Sequence, residues 1–216
     1  MRTIVRVFIG LKVLGLIGFG ALYWPVSGYG AIPQGMSSAR IDVAVRGREL
    51  TNAAGCLGCH WNAKEGEAPF AGGLAIETPI GTLYSTNITP DPETGIGAYS
   101  DDDFVAALKH GRRRDGQNLL PAFPYTSYAR MPVEDMLAIK AYLFSAVKPV
   151  HQENKPHDTF VPAFLMRGPV TLWKFAFFDP QEFEPDPAFN ARHNRGRYLV
   201  EVLGHCGECH TPRDRL

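Results

Sequence analysis

The chain has 216 residues, 45% of them hydrophobic and 20% charged, with 22 basic residues against 22 acidic ones. That length and apolar content allow one or two domains with real cores. The charge balance supplies neither the basic field of a nucleic-acid binder nor an acidic tail, so no nucleic-acid partner is expected.

The chain opens on Arg2, Arg6 and Lys12, followed by the charge-free run Val13 to Trp24. Two readings compete, a cleaved signal peptide and an uncleaved anchor. Pro25 to Ala31 matches a small-residue cleavage pattern poorly, whereas Val7 to Trp24 is interrupted by Lys12 alone and reaches about the lower limit of a membrane span. Lys12 can snorkel toward the basic side, and Tyr23 and Trp24 suit the far interface. Residues 1–31 are therefore expected to form a transmembrane anchor helix, with a signal segment as the alternative. Residues 25–40, rich in Gly, Pro and Ser, read as a tether.

A helix is expected from Ile41 to about Ala54, delivering the pentapeptide Cys56-Leu57-Gly58-Cys59-His60. The same pattern returns as Cys206-Gly207-Glu208-Cys209-His210, and the chain has no other cysteine. CxxCH is the attachment pattern of haem c: two thiols one helical turn apart form thioethers, and the next imidazole takes the iron. Zinc knuckles stand about 15–20 residues apart, and neither they nor a thioredoxin-like CxxC explains a trailing histidine in both copies. Two haem c groups are expected, on Cys56 and Cys59 with His60, and on Cys206 and Cys209 with His210. Covalent haem attachment places the protein outside the bacterial cytoplasm.

A longer repeat surrounds these motifs. Arg46-Gly47-Arg48-Glu49-Leu50 precedes the first and Arg195-Gly196-Arg197-Tyr198-Leu199 the second, with one residue more between repeat and motif in the second copy. A glycine inside a helix costs about 1 kcal/mol relative to alanine, so its recurrence points to close approach of another helix.

From His60 to residue 100, glycines and prolines indicate a loop-rich wrap. Ser100 then caps a helix through about His110 with Asp101, Asp102 and Asp103 in its first turn, where the helix dipole favours acids. Gly111 ends it, and Arg112-Arg113-Arg114 reads as a solvated loop that could also meet a partner or a haem propionate. A strong helix follows from about Val133 to Ala146. The sixth iron ligand is expected from the loop before it, at Met131. Met136, Met166, a histidine pair from His110 and His151, or an open site remain alternatives. A thioether ligand raises the reduction potential.

The runs Gly81 to Asp91, Thr94-Gly95-Ile96-Gly97, Asp115-Gly116 and Pro121-Ala122-Phe123-Pro124-Tyr125 resemble the multihaem cytochrome c subunits of bacterial membrane-bound alcohol, gluconate and aldehyde dehydrogenases. The likeness covers about residues 41–150 and resumes at 193–213. In many members the third residue of the PAxPY motif is an iron-ligating methionine; here it is Phe123. The chain is more similar to a branch that has phenylalanine there and methionine just before the final helix, the place of Met131. The resemblance also implies that the Ser85-Thr86-Asn87 turn lines the haem.

The expected fold is mostly α, a cytochrome c-like haem domain with long loops behind the N-terminal anchor. Residues 41–150 form the first domain, 151–192 an aromatic, proline-rich linker, and 193–216 the start of a second, truncated haem domain. Only Thr211 to Leu216 follow His210, as expected of a fragment of a longer diheme protein. The expected function is electron transfer from a dehydrogenase catalytic subunit to quinone or a terminal oxidase, on the periplasmic side of the inner membrane. The chain itself is then a carrier subunit, not an enzyme. The competing class is a peroxidase-like or sulfur-oxidising enzyme with an open second haem.

Overall fold

The structure, a computed structural model, describes residues 2–24, 32–33, 35–39 and 41–212. The expected cleavage segment, most of the tether and residues 213–216 lie outside the described residues. Helix α1 runs from Arg2 to Tyr23. Here the sequence expectation is corrected: among the described residues no helix is long and apolar enough to cross a membrane. Lys12 divides α1, and the charge-free part from Val13 to Tyr23 rises only about 16 Å at 1.5 Å per residue, about half of a hydrocarbon core.

The core is built by two helices, α2 (Ile41–Ala53) and α6 (Val133–Ala146). Leu50 and Ala54 meet Met136, Leu137, Ile139 and Leu143, all buried. The crossing is close because position 47 is glycine: a Cβ there would collide with the Ala138 carbonyl oxygen. Between them come α3 (Cys56–Cys59), α4 (Asp101–His110) and α5 (Tyr125–Tyr128). Helix α4 starts in a capping box. The Ser100 hydroxyl accepts from the Asp103 amide at 3.0 Å, and the Asp103 carboxylate accepts from the Ser100 amide at 2.9 Å. It ends at Gly111, whose φ of 55° is the left-handed conformation that glycine adopts without a Cβ penalty.

The loop-rich segment holds a sheet that its glycines and prolines conceal. Strand β1 (Ala75–Thr78) pairs antiparallel with β2 (Gly81–Tyr84), which pairs with β3 (Asp158–Thr159). Residues 150–159 thereby strap back over the haem-motif half of the chain. The buried Asn87 amide donates to the Val150 carbonyl at 2.8 Å, and the Asn87 backbone N–H donates to Asn154 Oδ1 at 2.7 Å. Asn87 therefore fastens the strap.

Helix α7 (Ala163–Phe177) forms where the linker was expected, with Pro169 inside it. Proline has no N–H for the carbonyl four residues back, and the Leu165 carbonyl instead accepts from the Tyr23 hydroxyl at 2.8 Å. Lys174, buried, ties α7 to the end of α4, donating to the His110 and Gly111 carbonyls and to Asn118 Oδ1 at 2.5, 3.0 and 2.9 Å. Helix α8 (Ala191–Tyr198) passes into a π-helical turn over Leu199–Leu203 and then α9 (Gly207–His210). A π turn accommodates one residue more than an α turn, so it absorbs the extra residue between the second repeat and its motif.

Candidate haem site

In the first motif, Gly55 takes a left-handed conformation (φ 68°) between α2 and α3, turning the chain so that α3 presents Cys56 and Cys59 on one turn. The His60 amide closes that turn on the Cys56 carbonyl at 2.9 Å. His60 Nδ1 lies 2.7 Å from the Thr86 carbonyl oxygen. A carbonyl only accepts, so Nδ1 carries the proton. Burial lowers the His60 pKa against the opposing effect of that bond, which keeps the ring neutral and leaves the Nε2 lone pair for a metal. This is how a metal-ligating histidine is oriented by its other nitrogen.

Cys56, Cys59, His60 and Met131 line one cavity of about 310 Å³. Native interiors leave few voids larger than a water molecule, so a space of this size among Leu83, Ile88, Ile96 and Phe104 is a binding site. Met131 is fully buried and, among the described residues, is the one methionine on the wall; Met136, Met166, His110 and His151 do not line it. Phe123 does, with its ring 5.6 Å from that of Tyr128. Ser85 and Thr86 also face the cavity, as the resemblance implies, while the Asn87 amide is engaged in the strap.

Burial pushes the Cys56 thiol up to about 12 and raises Cys59 as well. Two thiols, an imidazole Nε2 and a buried thioether on one apolar wall fit covalently held haem c.

The second motif is placed differently. Cys206, Cys209 and His210 are exposed on and beside α9 and do not line the first cavity. His205 and Glu208 belong to its wall. His205 occupies the place of Gly55, immediately before the first cysteine, and also has a positive φ, 37°. Its ring lies edge-on to Tyr128 at 5.6 Å, and Glu208 accepts from the Ser127 hydroxyl at 2.7 Å. The two attachment segments thus share a wall.

Sequence reasoning passed over His157, Arg167, His205 and Glu208 as cavity residues, and favoured solvent for Arg113, which also lines it. Only the duplicated motif marked His205 and Glu208 as near a haem; nothing local marks Arg167, which the fold of α7 brings in.

No family model matches the chain. Over 202 residues, 93% of its length, it is 46% identical to a gluconate 2-dehydrogenase cytochrome c subunit of Pantoea cypripedii, of which it covers 42%. It is 47% identical over 169 residues, 78% of its length, to the cytochrome c subunit of an alcohol dehydrogenase (quinone) of Gluconacetobacter polyoxogenes, covering 36% of that protein. A diheme cytochrome c-type protein of Cereibacter sphaeroides is 40% identical over 177 residues, 80% of this chain and 58% of the relative. The chain is a homologue of dehydrogenase cytochrome c subunits. It spans less than half the length of the gluconate and alcohol dehydrogenase subunits that it matches.

Proposed function

We propose that the chain is an electron-transfer cytochrome carrying two haem c groups, serving a dehydrogenase catalytic subunit outside the cytoplasm and passing electrons on to quinone or a terminal oxidase. The observation that carries this reading is the single cavity onto which Cys56, Cys59, His60 and Met131 converge. Haem c, when bound, supplies an iron that takes up and releases one electron. Cys56 and Cys59 would hold the porphyrin, His60, oriented by the Thr86 carbonyl so that Nε2 is free, would supply one iron ligand, and Met131 would supply a thioether ligand. The surrounding apolar wall would limit water at the iron, and a thioether ligand there would favour the reduced state.

Cys206 and Cys209 would attach the second haem, with His210 as its ligand. His205 and Glu208 belong to the wall of the first cavity, which supports the reading that a second haem would lie beside the first, the arrangement that short-range electron passage requires. No observation favours catalysis at an open second haem. Helix α7 exposes Leu172, Trp173, Phe175 and Phe177, the last two by 90% and 75%. These exposed apolar side chains support association with a membrane surface.

The intact mass of protein matured in a cell that attaches haem c tests the reading. Two haems are expected on the unsubstituted chain, one after Cys56→Ala with Cys59→Ala, and one after Cys206→Ala with Cys209→Ala. A chain without covalent haem would end the proposal.

A further inference from the structure

The haem cavity has a basic side that the haem motifs do not explain. Arg113, from the loop after α4, Arg167, from α7, and His157, from the strap, all line it. They come from three separate segments. The Arg167 Nε is buried and has no hydrogen-bond partner among the described residues, a costly condition for a charged group unless an acceptor completes it. Arg113 pairs with Asp115 at 3.0 Å. Asp115 is also the carboxylate that acts on Arg167, so two guanidinium groups share one acid. His157 Nδ1 accepts the Tyr84 backbone N–H at 3.1 Å, which puts the ring proton on Nε2 as a further donor. Burial lowers the pKa of Arg167 and of His157, and the neighbouring guanidinium groups press in the same direction. The cluster repels itself. It is built for an anion.

We propose that Arg113 and Arg167, assisted by His157, bind the propionate carboxylates of the first haem, making α7 a positioning element of that site and raising the potential of its iron. The inference rests on the reading of Cys56, Cys59 and His60 as a haem attachment site. Planar guanidinium forks match carboxylates two bonds at a time, and the cavity offers an apolar wall for a porphyrin together with a cationic side for its acids. The positive charges offset the carboxylates; without them the carboxylates' field favours the oxidised, more positive iron.

The test uses the full chain with haem attached. Redox titration of Arg167→Gln and Arg113→Gln should show the first haem's reduction equilibrium at least about fivefold less favourable, and further shifted in the double variant, because a unit charge in a partly desolvated pocket acts strongly. The pH dependence of the potential should move toward neutral pH as the propionates lose their counter-charges. Arg167→Lys should recover part of the loss. Arg114→Gln, on the same loop but paired with Asp103 and away from the cavity, should change neither. If Arg167→Gln does not accumulate, the exposed Arg113 decides, since its substitution leaves the core untouched. Covalent haem at normal content with unchanged potentials in both variants would overturn the proposal while leaving the haem reading intact. Failure of the unsubstituted chain to attach haem would remove both.

Discussion

Met131 is fully buried and lines the haem cavity, so removing it acts on packing and on the proposed iron coordination together. Two substitutions separate these effects. Met131→Ala should destabilise by about 2–5 kcal/mol through the void it leaves, whereas Met131→Leu, close in volume, should cost less than about 1.5 kcal/mol. Both should abolish the weak red-end absorption band of a methionine-ligated ferric haem and lower the potential. A band that survives in Met131→Leu would move the ligand elsewhere. His110 gives a pH prediction of known sign. Burial first, then Lys109, Lys174 and Arg112, lowers its pKa from the ordinary value of 6.5 to about 4. Between those values the unfolded chain binds a proton that the native chain does not, so stability is greatest above pH 6.5 and declines as pH falls toward 4. Urea unfolding across this window should show a shallower decline for His110→Gln; an identical slope would show that His110 titrates normally.

Among the elements, the repeated glycine made close approach of another helix legible at Gly47, without naming α6 as the partner, and wrongly implied the same at Gly196. Substituting Gly47 by alanine drives a Cβ into the Ala138 carbonyl, a backbone clash that should cost about 1–3 kcal/mol. Gly196, its counterpart in α8, has open space around its missing Cβ. Gly196→Ala should be neutral or stabilise by up to about 1 kcal/mol through helix propensity. Thermal melting of both variants checks the contrast, and equal losses would mean that Gly196 is also packed. Helix α4 was readable from its cap and dipole, as in Ser100 and Asp103 at its start, and α6 from its apolar residues and the acidic Glu134 and Asp135 in its first turn. The strands were not, since four residues between glycines and a proline carry no period, and β3 reaches β2 from far along the chain. Helix α7 was hidden by Pro169, whose missing donor is replaced by the Tyr23 hydroxyl, a tertiary contact no local window contains. The anchor expectation is corrected because, among the described residues, no helix is long and apolar enough to cross a membrane. At the candidate site the motifs named Cys56, Cys59 and His60 outright, and the place before α6 named Met131. Arg167 and His157 reach the cavity only through the fold.

At the scale of the molecule, the second repeat is held to the first unit by a polar junction inside the core. Asp135, buried on α6, pairs with Arg46 of α2 and accepts the Tyr198 hydroxyl of α8 at 2.7 Å. Arg130, just before Met131, pairs with Glu201 at 3.3 Å, and its carbonyl accepts the Phe183 amide at 2.8 Å. One carboxylate thus joins the attachment helix of the first motif, the helix that follows Met131 and the attachment helix of the second motif. Tyr198→Phe removes one donor from that buried carboxylate and should destabilise by about 1–3 kcal/mol. The loss should concentrate in the second segment, because Arg46 still holds Asp135 to α2. Hydrogen exchange should therefore quicken in residues 191–205 more than in α2 or α6, and the wall that His205 and Glu208 contribute to the first cavity should loosen with it. Since Tyr198 itself does not line the cavity, an altered spectrum of the first haem in this variant would report motion transmitted through that shared wall. Uniform acceleration across α2, α6 and α8 would instead show that the two halves unfold as one unit, with the carboxylate junction at its centre.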